Sequence, residues 1–473
     1  FRAGLTNDGD DIITDGALFS AGSQPFGGAF DVSFVLATVA PGGPTNLVWT
    51  GATNGDWDTS TSNWALTDAS PATFSTDDLV TFNDAASTGI VTVLSEVQPG
   101  DFAVTNDTLD YSFGGAAIAG GTGLTKNGPG SLTLTGNNSF NGAITVSGGS
   151  LTAGDGATSG ELGSGAVSLA SGTSLTISRS DNLDYKASAK LREVSGAGDI
   201  LIDGGGLLFT YPGGGLGFNS AGTWAGLSGD ITITNGSELQ TIRNGATGRG
   251  SGTINLGDGS SSGSLSPIEG NWTWTNNINA IGSDNKIINR GTGIDRSLKL
   301  QGTISGAGNL TLEDATGAMS DVNRGFVITN DISLTGTFTV ASGAPVRIGG
   351  VPGEVDVSGT GLDAFSSGSL GSTTVVNNGT LTFSRTDAHT VAAPISGTGA
   401  ARIGIPASAN RGDTSTQVVT YADATKTYSG TTTVERGTLL VNGSLPNSAV
   451  EVSSDGVLGG SGTISQDTFV TGT

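Results

Sequence analysis

Apolar and polar residues alternate in short runs along most of this chain. Ile144 and Val146 are separated by Thr145 and followed by Ser147, and Leu132 and Leu134 alternate with Thr133 and Thr135. In a strand, successive side chains point to opposite faces, so such runs put one apolar row inward and one hydroxyl row outward. The runs are short and end at Gly or Asn. Gly reaches positive φ without a Cβ clash, and Asn bonds its own backbone in a turn. Short strands with frequent corners predict a sandwich, a barrel or a solenoid.

Two corner patterns recur. The first is Gly-x-Gly leading into a strand, at Gly121-Thr122-Gly123, Gly196-Ala197-Gly198, Gly306-Ala307-Gly308, Gly397-Thr398-Gly399 and, partially, Gly460-Ser461-Gly462. The second is a single Gly before an alternating strand, at Gly142, Gly229, Gly336 and Gly430. Their order is fixed. From the second Gly of one to the Gly of the other the steps are 142 − 123 = 19, 229 − 198 = 31, 336 − 308 = 28 and 430 − 399 = 31. The second pattern itself returns at wider steps, 229 − 142 = 87, 336 − 229 = 107 and 430 − 336 = 94. That spacing predicts several coils per unit with insertions between them. A closed barrel register does not tolerate such insertions, whereas a solenoid does. The pattern therefore predicts an all-β parallel solenoid of roughly 25 residues per coil.

Composition agrees. Of 473 residues 80 are Gly and only 13 % are charged, and the usual helix formers are scarce. The net charge is −23, which excludes nucleic acid as a natural partner and gives no support to binding an anionic membrane. There is no Cys, hence no disulfide, thiolate nucleophile or Cys-based metal site. No apolar run is long enough to span a bilayer as a helix. The start, Phe-Arg-Ala-Gly without a basic-then-apolar leader, reads as a processed or trimmed product.

The strings Ile304-Ser305-Gly306-Ala307-Gly308-Asn309-Leu310-Thr311-Leu312 and Tyr428-Ser429-Gly430-Thr431-Thr432-Thr433-Val434 resemble the autotransporter-associated β-strand repeat of bacterial surface proteins. The likeness covers roughly 46–473 and is strongest at 118–154 and 426–464. It implies a right-handed parallel β-helix displayed outside the cell, with a structural or adhesive role. The C-terminal run of membrane-barrel strands that a full autotransporter carries is not seen, which suggests that it was removed or that the protein is retained by another route.

Three regions are expected: 1–45 as an N-terminal strand segment, cap or assembly arm; 46–110 as Trp-rich first coils; 111–473 as solenoid repeats. In the first, Phe30, Val32, Phe34 and Leu36 alternate as one good strand. Capping of the first coil is the general need. Strand addition is the sharper reading: this arm docks on a neighbour's last coils near Phe469 and Val470, giving a homo-oligomer or a head-to-tail filament.

Candidate chemistry is sparse. The single His, His389, is read as a surface or corner residue. Paired carboxylates are the realistic catalytic option, yet Asp199, Asp203, Asp230, Glu313 and Asp314 lie scattered among corners, so no catalytic residue and no enzyme is expected. Asp8, Asp10, Asp11 and Asp15 offer oxygen ligands to Ca2+ but lack any calcium-loop pattern. Trp224, Trp272 and Trp274 either stack on a surface polysaccharide, in a carbohydrate-binding or polysaccharide-degrading alternative, or pack inside the column, which is favoured. The Gly-x-Gly corners are not dinucleotide fingerprints, because strands follow them. Arg411-Gly412-Asp413 spells an adhesion tripeptide that chance alone produces easily in a Gly- and Asp-rich chain.

Overall fold

In the computed structural model the described residues are 43–184, 193–210, 224, 226–241, 250–267, 272–291, 297–317, 319, 325–350, 354–355, 361–362, 368–405 and 417–471. The chain divides into two compact units, Phe1–Thr45 and Asn46–Thr473. The arm residues Phe30, Val32, Phe34 and Leu36, the acidic Asp8, Asp10, Asp11 and Asp15, and the Arg411-Gly412-Asp413 tripeptide all lie outside the described residues.

Among the described residues of the second unit there are strands and turns but no α-helix. The strands build four long sheets of nine, twelve, nine and eleven strands, and nearly all neighbours pair in parallel. This is the stacked-coil arrangement that the alternation predicts. In the second sheet one inward row runs Leu132, Leu151, Leu175, Ile200, Ile231, Ile254, Ile278, Ile304, Ile332, each directly over the next. All nine are at most 1 % exposed. Each side chain thus buries its area against the same residue type one coil above and below, which is where this column finds its hydrophobic stabilisation.

The register gives the length of each coil. Leu79 stacks on Asp101, a step of 101 − 79 = 22, and Ile200 on Ile231, a step of 231 − 200 = 31. Thr337 stacks on Thr374, 374 − 337 = 37, and Val450 on Thr468, 468 − 450 = 18. The expected coil length falls within this spread. The short early coils feed only the first and second sheets. The third sheet starts at Asn182–Asp184, as the first ends at Val194–Gly196, and the fourth starts at Trp272–Trp274, before the second ends at Ile332–Leu334.

The two glycine patterns turn out to be one contact. A Cβ on Gly229 would lie 1.9 Å from the carbonyl oxygen of Gly198; on Gly336, 2.2 Å from that of Gly308; on Gly430, 2.3 Å from that of Gly399. At Gly142 it would meet the Gly123 nitrogen at 2.4 Å. Each step from a Gly-x-Gly to the next single Gly is therefore one coil, with glycine resting on glycine. The first Gly of the later Gly-x-Gly copies has a different reason: Gly196, Gly306 and Gly397 sit at φ of 105°, 120° and 107°, where a side chain is strained, whereas Gly121 does not.

Residues 46–74 seal the N-terminal end of the column. Asn46–Trp49 pairs antiparallel with Trp64–Ala65, which pairs antiparallel with Pro71–Ala72. Trp49, Trp57, Trp64, Phe74 and Phe82 fill the first coil, with Trp49 and Trp64 rings edge to face at 5.1 Å.

Corners are satisfied from inside. Asn138 accepts the Ile118 amide and donates to the Gly136 and Glu161 carbonyls, and Asn285 does the same for Gly263, Gly282 and Asn309. Lys126 does it with a charge. It continues the inward row of Leu124, is fully buried, and its Nζ donates to the carbonyls of Asn127, Gly128 and Gly148 at 2.9, 2.8 and 3.2 Å. Burial draws its pKa below the ordinary lysine value, against the pull of Asp107, Asp110 and Asp84. Lys126→Met strands the Gly128 and Gly148 carbonyls, since Asn127 O keeps the Asn106 amide, and we expect it to lower stability by about 2 kcal/mol or more, at about 1–3 kcal/mol per unsatisfied buried group. Urea unfolding followed by tryptophan fluorescence measures this; an unchanged midpoint would show that the clamp contributes nothing.

Candidate binding surface

The column has two kinds of outer face. On the second sheet the outward row passes through Thr133, Thr152, Thr176, Leu201, Thr232, Asn255 and Asn279 to Ser305 and Ser333, with no charged member. Asn279 Nδ2 donates to Asn255 Oδ1 at 2.9 Å, one coil on the next. This face is flat, polar and partly exposed. On the fourth sheet the outward row begins Lys299, Val327, Arg347, Thr382, every one of them buried, and continues through the partly exposed Arg402 and Thr433 to the exposed Glu451. The first part of that face is covered, although its alternation resembles a solvent face.

Charge is distributed unevenly. Between residues 43 and 184 the only cations are Lys126 and Arg179. Lys126 is inside, and Arg179 is buried with its guanidinium on Asp181 at 2.8 Å. The first coils therefore present only carboxylates to solvent. Several of these are fixed by capping. Asp84 accepts the amides of Asp107, Thr108 and Leu109, and the Leu109 amide leads in holding its pKa down to about 2. Asp58 is held at about 2, chiefly by the Thr61 hydroxyl.

The corner carboxylates singled out as possible catalysts have similar work. Asp199 accepts the Asp230 amide, and Asp230 accepts that of Thr253 in the following coil. Asp203 accepts from Thr234 and Asn235, Glu313 pairs with Lys286, and Asp314 takes the Asn289 amide and the Met319 N–H. Among the described residues no group of three or more His, Asp and Glu is placed to hold a metal ion.

Trp224 and Trp274 are interior, at 0 % and 1 % exposure, so neither ring offers a face to a sugar. Trp272 lies on the same strand as Trp274, paired to Leu298. Phe469 and Val470 are 54 % and 65 % exposed on the strand Thr468–Val470, which pairs on one side only, with Val450–Gly459. Val470 stacks on Val452, an inward position.

His389 stands on the strand Ala388–Thr390 and stacks over Val419, heading a row that continues to Leu439 and Leu458. Burial and Arg385 lower its pKa, while Asp387 and Asp331 oppose them. The neutral ring is thus the favoured folded form, so its contribution to stability is complete above the ordinary histidine range and is lost as pH falls through it. We expect the chain to lose stability between pH 7 and pH 5, a loss that His389→Gln lacks; equal pH profiles in thermal melts would contradict the assignment. Further loss on stronger acidification belongs to the low-pKa aspartates Asp58, Asp84, Asp258 and Asp423.

Residues 124–153 and 416–441 match the passenger-associated-transport-repeat family. They include the glycine-on-glycine corner at Gly142 and the clamped corner at Lys126. In these two stretches the chain is similar to passenger repeats. The chain is also 31 % identical over 297 residues to the adhesin BmaC autotransporter of Brucella suis biovar 1 (strain 1330), an alignment that takes in 59 % of this chain and 8 % of that protein. The chain thus spans a small part of the length of this curated relative. No solved structure matches the chain. Among the described residues no helix is long and apolar enough to cross a membrane. The matched repeats and this relative support the expectation of a place outside the cell or at its surface. The expected resemblance, strongest at 118–154 and 426–464, is borne out in kind and nearly in position.

Proposed function

We propose that this chain is an adhesive surface column that binds through its lateral faces and performs no catalysis. The observation that carries the reading is the unbroken inward aliphatic row beneath an uncharged outward row of Thr, Ser and Asn interrupted once by Leu201. The apolar side chains are used in stacking, and what they hold out is a rigid, regular polar face. The similarity to an autotransporter adhesin supports it. Beads coated with the chain are expected to bind cultured animal cells above albumin-coated beads, and Thr133→Glu with Thr176→Glu is expected to remove that binding. Equal binding by both bead types would overturn the reading. Because Trp224 and Trp274 are interior, a polysaccharide partner would meet this polar face rather than those two rings.

The finer part of the reading is self-association by strand addition at Thr468–Val470, favoured by the apolar side chains Phe469 and Val470 on that strand, exposed at 54 % and 65 %. Sedimentation velocity over a concentration series is expected to show growing species that Val470→Glu abolishes. A monomer at all concentrations removes self-association and leaves the adhesive reading intact. Running the series with and without chelator tests Ca2+ at Asp8, Asp10, Asp11 and Asp15.

A further inference from the structure

Six Asn-Gly pairs lie among the described residues, at Asn54, Asn127, Asn141, Asn235, Asn378 and Asn442. Asn-Gly is the dipeptide most prone to spontaneous deamidation, because glycine places no side chain in the way of its own nitrogen. The reaction needs that nitrogen free and able to lose its proton, and an Asn side chain free to swing toward it. Coil stacking removes one or both conditions at five of the six. The Gly142 amide donates to Thr122 O at 2.8 Å, Gly236 to Ser262 O at 2.8 Å and Gly443 to Tyr421 O at 3.1 Å, each across a coil boundary. The Gly379 amide donates to Asn377 Oδ1, and the Asn378 side chain accepts the Thr398 amide. The Asn54 side chain is tied to Asp56 and Asn63.

Asn127 differs. Among the described residues its side chain has no hydrogen-bond partner and the Gly128 amide has no acceptor, while Gly128 is already turned to a φ of 77°. The peptide carbonyl between them, Asn127 O, accepts the Lys126 ammonium at 2.9 Å. A cation on that oxygen withdraws electrons from the peptide unit and makes the Gly128 N–H more acidic.

We propose that Asn127 is a self-modification site, deamidating through a cyclic imide ahead of every other described Asn-Gly pair. The Gly128 nitrogen attacks Asn127 Cγ and a C–N bond forms. The Cγ–Nδ2 bond breaks, and ammonia leaves with the proton that the Gly128 amide gives up. Water then opens the imide at either carbonyl, leaving an aspartyl or isoaspartyl residue at 127. The isoaspartyl product reroutes the main chain through Cβ at the corner whose carbonyls hold Lys126, beside the carboxylates of Asp84, Asp107 and Asp110. An extracellular chain that is not rapidly replaced thus carries a built-in mark of age at its clamped corner.

The test is peptide mapping of the whole folded chain after incubation in heavy-oxygen water at mildly alkaline pH. Label is expected at 127 first, roughly five-fold or more ahead of 141, 235 and 442, the protection that a retained hydrogen bond of about 1 kcal/mol provides. In urea the six pairs are expected to label at similar rates. Labelling of 141, 235 or 442 as fast as 127 in the folded chain would overturn the proposal. So would the same lead for 127 in urea, which would assign the effect to local sequence.

Discussion

Trp57→Ala is expected to open the N-terminal end of the column and to cost about 3–5 kcal/mol, the range for truncating a buried aromatic. The ring is fully buried and meets Trp64 at 5.4 Å, Phe74 at 5.5 Å, Phe82 at 5.3 Å, Phe102 at 6.0 Å and Phe113 at 6.2 Å, several of them edge to face. Those partners come from successive coils, so one truncation loosens the seal and the coils beneath it together. A coil without a neighbour on one side exposes its strand edges, and in a one-dimensional array loss at an end propagates inward. Urea unfolding with near-ultraviolet circular dichroism reads the aromatic cluster directly. A midpoint within error of the unmodified chain would show that the cap is ornamental and that the first coils are stable without it.

Gly229→Ala is the second large effect and works by intrusion. The added methyl would sit 1.9 Å from Gly198 O and 2.5 Å from Gly198 C, both backbone atoms that no side-chain rotation can move aside. The coils must separate at that corner, and we expect a loss at or above the upper end of the about 1–3 kcal/mol usual for overpacking. The control is Gly121→Ala, which meets nothing within 4 Å and needs no positive φ, and is expected to stay within about 0.5 kcal/mol of the parent. Equal behaviour of the two variants would mean that the glycine stack is not a contact.

That stack marks how far the sequence is legible. Its period is written in the chain as the spacing from Gly123 to Gly142, from Gly198 to Gly229, and so on to Gly430. Those spacings read as fractions of a long unit until the register shows each to be one coil. Inward rows are legible outright, since alternation placed Ile144 and Val146 inside and Thr145 outside. The same alternation in Leu124-Thr125-Lys126 put Lys126 inside, against the expectation that a lysine is solvated; three corner carbonyls supply the missing hydration. Neither the number of sheets nor the covered part of the fourth face is legible. The first depends on coil length summed over insertions. The second depends on what packs over Lys299 and Arg347, whose spacing fits an exposed strand equally well. Asp199 and Asp230 looked like free corner acids because their partners, the amides of Asp230 and Thr253, lie a whole coil away.

The central claim is that consecutive coils stack in parallel, in register, one residue directly on its counterpart. The chain has no Cys, so an engineered pair reports without background. Thr152 and Thr176 are outward neighbours on adjacent coils, within the roughly 4.4–6.8 Å Cα separation that a disulfide spans. The doubly substituted Thr152→Cys, Thr176→Cys chain is predicted to close an intramolecular disulfide under mild oxidation, while Thr133→Cys, Thr176→Cys, two coils apart, stays reduced. Failure of the first pair, or equal closure of both, would contradict the stacked register on which the account stands.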